Sequence, residues 1–150
     1  MGLHVARQLL DAALLTLAAL PTTGANVFRN RPDGRPLIAT ELPGLLVYLG
    51  GEDVSNADIA GGILLRVQRL RVGIRVKSTA GADDILCAIR AEVESALAPT
   101  LAVGPGAKAI LLDYTGLADP EFDGNTEQEV VSAELEFSAQ LYTSAPDVLL

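Results

Sequence analysis

The 150-residue chain has one cysteine, one histidine, one methionine and no tryptophan. A single thiol excludes an internal disulfide, and one imidazole excludes a site built from several Cys or His ligands. Aromatic residues make up only 4%, and the chain nets −8. A uniformly acidic surface repels nucleic acid instead of neutralising its phosphates. No apolar run reaches the length a helix needs to cross a bilayer. Basic residues are missing after Lys108: all eleven lie at or before it, against ten acids, whereas residues 109–150 hold nine acids. The first part therefore nets +1 and the second −9. Two readings of this asymmetry stand: a solvated acidic face, or a self-complementary molecule whose acidic patch meets a basic patch on the next copy. Contacts between two different patches close into rings or run on as filaments.

What is present is ordinary globular material. Hydrophobic residues make up 49% and charged residues 20%, which excludes a disordered, collagen-like or coiled-coil chain and fits one domain over 1–150. Residues 1–21 have the outline of a signal peptide, but Asp11 interrupts the apolar run. His4, Arg7, Gln8 and Asp11 recur at helical spacing, with Leu3, Leu10, Leu14, Leu17 and Leu20 around the remainder. That spacing predicts an amphipathic helix buried against a sheet and ended by Pro21. Residues 22–44 read as an irregular connection anchored by Phe28 and Leu37–Ile38. Leu45–Leu49 reads as a buried strand, and 50–62, with glycine pairs at both ends, as a loop or hairpin tip.

Residues 63–77, ILLRVQRLRVGIRVK, form the clearest strand. Leu70, Val72, Ile74 and Val76 point one way and Arg69, Arg71, Arg75 and Lys77 the other. Upstream, Ile63, Leu65 and Val67 take the opposite parity, so either both faces are covered there or a bulge near Gln68 resets the register. Fifteen residues run roughly 50 Å against a domain about 40 Å across, so the strand must bend, break or project. Ala82–Ala98 is a second helix, with Ile85, Ile89, Val93 and Leu97 at i+4 spacing and Pro99 as its stop. Gly104–Gly106 is a turn, Ala109–Asp113 a strand, 116–125 an acidic loop, and 129–142 a long alternating strand. This order predicts an α+β fold: a mixed, mainly antiparallel sheet with two helices on one face and long strands forming a projecting hairpin.

Catalytic equipment is hard to find. There is no nucleophile elbow, phosphate loop, dinucleotide fingerprint or calcium loop. His4 reads as a solvated helix residue, Cys87 as a small buried hydrophobe, and the carboxylate pairs as helix ends or outer strand faces. Catalytic, cofactor and metal sites are all predicted absent. The arginine row 69–75 carries no interleaved aromatic, so pairing with an acidic row such as Glu134 and Glu136 fits it better than specific nucleic-acid binding.

The stretch ANVFRNRP (25–32), followed by ELPGLLVYLGGED (41–53), resembles the minor tail protein U type of tail terminator from long-tailed phages such as lambda. The matching residues are Phe28, Arg31, Pro32, Leu42, Pro43, Val47, Tyr48, Leu49, Gly51 and Glu52. The later elements agree in order, while Arg69, Arg71, Arg75 and the apolar Val148–Leu150 depart from that pattern. The resemblance implies a small α+β protein forming a homohexameric ring on the end of the tail tube. Such a ring stops tube polymerisation and presents a surface to the head–tail connector. It also implies a place in the virion tail after assembly in the bacterial cytoplasm, no enzymatic activity, and passage of DNA through the lumen without specific binding. Candidate interface residues are Arg31, Arg69, Arg71 and Arg75 on one side and Asp119, Glu121 and Asp123 on the other. Another ring-forming neck protein, or a small ligand-binding or enzymatic domain, remains as the alternative.

Overall fold

The computed structural model describes residues 4–29, 37–58, 60, 62–77, 79–123 and 130–144 and, apart from 118–123 and 144, their side chains. Helix α1 spans Val5–Leu17 and α2 spans Ala82–Leu97. The strands are β1 (Val27–Arg29), β2 (Gly44–Asn56), β3 (Ile63–Lys77), β4 (Thr100–Val103), β5 (Lys108–Asp123) and β6 (Val130–Ser144). They form one sheet in the order β1-β2-β3-β6-β5-β4, with β1 parallel to β2 and every other neighbour antiparallel. The fold is α+β, as the order of patterns predicts.

The apolar stripe of α1 is Val5, Leu9, Leu10, Ala13 and Leu17. His4 is its cap: Nδ1 accepts from the Ala6 amide at 3.1 Å, satisfying one of the donors a helix start leaves over. Helix α2 buries Ala82, Leu86, Ile89, Val93 and Leu97, and Asp83 and Asp84 face the positive end of its dipole. Both helices touch one another and share a single core with Leu45, Val47, Leu70, Val72, Ile74, Leu135, Phe137 and Leu141. They therefore lie on one side of the sheet. Among the described residues no helix covers the other side, which is the open face of the sheet.

The chain departs from the sequence reading in several places. Strand β2 continues past Leu49 to Asn56, so only the end of 50–62 is left to turn the hairpin. Strand β5 runs to Asp123, which puts Asp119, Glu121 and Asp123 in a strand instead of a loop. Backbone hydrogen bonding to β6 decides this: Glu121, Phe122 and Asp123 stand opposite Ser132, Val131 and Val130. The short edge strands β1 and β4 carry too few residues to show a periodicity. Cys87 is exposed, not buried, and Ile85 is 37% exposed, because the α2 stripe is centred on Leu86 and Ile89. Of the expected anchors of 22–44, Leu37 is buried while Ile38 is exposed. Helix α1 stops at Leu17, four residues short of Pro21. Leu3 and Arg31 lie outside the described residues.

The parity question in β3 is also decided. β3 pairs with β6 from Ile63↔Ser144 to Lys77↔Val130 without a slip, so β3 itself keeps one parity throughout. The bulge is across from it, in β2 between Leu49 and Glu52, where the side-chain amide of Gln68 donates to the Gly50 carbonyl at 2.9 Å. Arg66 and Gln68 consequently point to the helix side and are buried, while Ile63, Leu65 and Val67 share the open face with the arginines. At the other end of β2, Gly44 is a close approach. A Cβ there would collide with the Glu41 carbonyl and stand 2.8 Å from Leu37 Cδ1.

Candidate interaction face

Alternation along β3 places Arg69, Arg71, Arg75 and Lys77 on the open face, one pleat apart except at Gly73. In the neighbouring strand the same face carries Glu134, Glu136, Ser138, Gln140 and Tyr142. Arg71 stands opposite Glu136 in β6 and opposite Tyr48 in β2. Its Nε donates to Glu136 Oε2 at 3.0 Å and lies 3.7 Å from Glu134 Oε1. Tyr48 donates its hydroxyl to Glu134 Oε2. The four side chains form one hydrogen-bonded row across β2, β3 and β6, so the predicted pairing of the arginine row with Glu134 and Glu136 is present at Arg71. The hydrogen bond to Glu136 raises the Arg71 pKa, keeping it charged.

Arg69 pairs instead with Asp53 of β2, Nη2 to Oδ2 at 2.9 Å, at an exposed site. Arg75 has no carboxylate partner among the described residues. Its Nη1 donates to the Ile74 carbonyl at 3.2 Å. Gly73 makes this possible, because a Cβ there would stand 2.8 Å from that same Nη1. The strand pairing puts Glu121 and Asp123 opposite Ser132 and Val130, and Asp119 within the irregularity that follows Ala118. Of the predicted interface residues, the fold thus gathers Arg69, Arg71 and Arg75 on one face, with two of them neutralised inside the chain, and register sets the positions of Glu121 and Asp123 in the same rows as Arg75 and Lys77, two strands away. Tyr48 is the member that sequence patterning misses. Its partner Glu134 is 86 positions away, and a tyrosine in a short apolar run carries no periodic signal of its own.

Burial, reinforced by the bond to Glu134, pushes the Tyr48 hydroxyl from 10.0 up to about 12. A folded-state pKa above the unfolded one stabilises the fold while the phenol keeps its proton. That contribution is complete below pH 10 and is lost as pH rises toward about 12. Tyr48→Phe is expected to remove the latest-titrating component from an ultraviolet phenolate titration and to flatten the alkaline limb of the stability profile. An unchanged titration would contradict this placement of the hydroxyl.

Among the described residues no group of three or more His, Cys, Asp or Glu is arranged to hold a metal ion, and no helix is long and apolar enough to cross a membrane. His4 caps a helix, and Cys87 stands exposed on α2.

No protein-family model matches the chain, and no curated protein does. Among solved structures, the fold is similar to that of a chain in the virion of a native gene transfer agent particle, with a TM-score of 0.55 and 23% identity. The alignment covers 93% of this chain and 98% of that one, so the similarity is of one whole fold to another.

Proposed function

We propose that the protein is a non-enzymatic structural component of a phage-like virion, and within it a tail terminator. In this reading it assembles as a homohexameric ring that closes the tail tube, halts tube polymerisation and offers its outer surface to the head–tail connector. The observation that carries the reading is the nearly end-to-end fold similarity to a virion chain. The resemblance of residues 25–53 to the U-type terminators supports the finer assignment. The charge layout fits it too: residues 109–150 carry nine acids and no base, and Arg75 is left without a carboxylate among the described residues. The arginine face and the acids at 119, 121 and 123 are proposed as the two sides of a head-to-tail contact, and Arg31 as a further contributor. An acidic lumen would let DNA pass without adhering.

Light scattering tests the assembly. A ring is expected at about 94 kDa, six copies of the 15.6 kDa chain, shrinking as salt screens the charged contacts. Arg75→Glu is the sharper probe of the subunit contact. Arg71→Glu would in addition set a third carboxylate beside Glu134 and Glu136 and so perturb the sheet itself. Adding the protein to polymerising tube protein tests the role. A terminator stops growth at substoichiometric amounts, and tube growth indifferent to the protein would instead place it among the neck proteins on the connector side.

A further inference from the structure

The open face has a second feature besides its arginines. On the outer half of β3, polar and apolar residues have exchanged sides. Arg66 and Gln68 are buried toward the helices, at 9% and 4% exposure, whereas Ile63, Leu65 and Val67 point to the open face. Strand register sets Tyr142 beside Leu65 and Gln140 between Val67 and Leu111, so the apolar side chains form a patch around Gln140 across β3, β6 and β5. Ile63, Leu111 and Tyr142 are 43%, 42% and 50% exposed. Exposed apolar residues gathered in one patch mark a surface that another molecule covers. The helices cover only the opposite face of the sheet.

Charge indicates what covers the other. Among residues whose side chains are described, the open face holds Arg69, Arg71, Arg75 and Lys77 against Asp53, Asp113, Glu134 and Glu136. Those eight charges balance, and strand register adds the positions of Glu121 and Asp123 to the same face, opposite Ser132 and Val130, in a chain that nets −8. A face that carries cations on β3 and acidic positions on β5 can be matched by the same face of a second copy, cation against acid. Its cations Arg75 and Lys77 also match the base-free segment 109–150 of a neighbour.

We propose that the patch formed by Leu65, Val67, Leu111 and Tyr142 is a contact surface for a second copy of this chain. This deepens the ring reading and rests on it for the identity of the occupant. The apolar residues supply the affinity, and the charged row beside them sets orientation, since exposed ion pairs contribute little.

The test compares the full-length chain with Leu111→Asp, Tyr142→Asp and, as a control, Leu15→Asp, whose side chain is 79% exposed on α1. Light scattering across concentration gives the assembly state, and circular dichroism with thermal melting confirms folding. The patch variants are expected to raise the dissociation constant about tenfold or more and give the 15.6 kDa monomer, while the control assembles like the parent. Should either patch variant unfold, Gln140→Lys at the patch centre replaces it. Patch variants that are folded and assemble normally overturn the proposal and leave the ring intact. A parent that stays monomeric at every concentration overturns it too, and the tube-growth assay then decides the terminator role separately. Tube protein binding to the monomer in a patch-dependent way would likewise overturn it, by naming a different occupant.

Discussion

Phe137→Ala is expected to lower the unfolding free energy by about 3–5 kcal/mol, a large share of the about 5–15 kcal/mol that holds a domain folded. Phe137 is fully buried, the largest such side chain in the core. It lies at the centre of the sheet, opposite Leu70 in β3 and Tyr114 in β5. Its ring tilts against that of Tyr114 with centroids 5.4 Å apart. Truncation therefore removes a large apolar surface from the core and loses an aromatic contact of about 0.5–1.5 kcal/mol. On the β3 side the pairing with β6 is unbroken, which limits collapse into the gap, while β5 shifts register just past Tyr114. Phe137→Leu keeps most of the volume and is expected to cost far less. Urea unfolding at fixed protein concentration measures both. A cost below about 1 kcal/mol for the alanine variant would show that the residue is not central to the core.

The second large effect belongs to a charge. Arg66 is buried on the helix side, its Nη1 2.9 Å from Glu52 Oε1 and its Nε donating to Thr143 Oγ1 at 3.0 Å. The side chains of the pair are 11% and 23% exposed. Removing one partner of a buried pair leaves the other charge desolvated and uncompensated, a loss of about 3–5 kcal/mol when burial is complete. Because the Arg66 left behind keeps some solvent contact and its bond to Thr143, Glu52→Ala is expected to cost about 2–3 kcal/mol. Asp53→Ala, one position along the same strand, breaks the exposed pair with Arg69 and is expected to cost about 0.2–1 kcal/mol. The double variant Glu52→Leu with Arg66→Met should recover most of the loss, since no charge is then stranded. Equal costs for Glu52→Ala and Asp53→Ala in urea would mean that the buried pair is effectively solvated.

Both substitutions probe places where sequence pattern and tertiary structure differ in reach. The helices and the strands 63–77 and 130–144 are legible because their periods are local: Leu86, Ile89, Val93 and Leu97 repeat as a helix, and Val131 to Leu141 alternate as a strand. The acidic segment 116–123 is not legible as a strand. Its residues are poor strand formers, and what holds them extended is the hydrogen bonding of β6, which no local window contains. The Tyr48–Glu134–Arg71–Glu136 row is half legible. The alternation of Arg71 and Glu136 announces two charged strand faces, but only register brings them opposite one another.

By itself, the sequence determined the α+β class, the order of the principal elements, the lopsided charge and the lack of a recognisable catalytic set, because each of these rests on composition or on a repeat a few residues long. Tertiary structure alone decided which face of β3 became the inside. Arg66 could turn toward the helices because Glu52 and Thr143 meet it there, from strands 14 and 77 positions away. With Arg66 placed, the unbroken pairing with β6 left Ile63, Leu65 and Val67 no side but the open one, since a strand has only two faces and its side chains alternate between them.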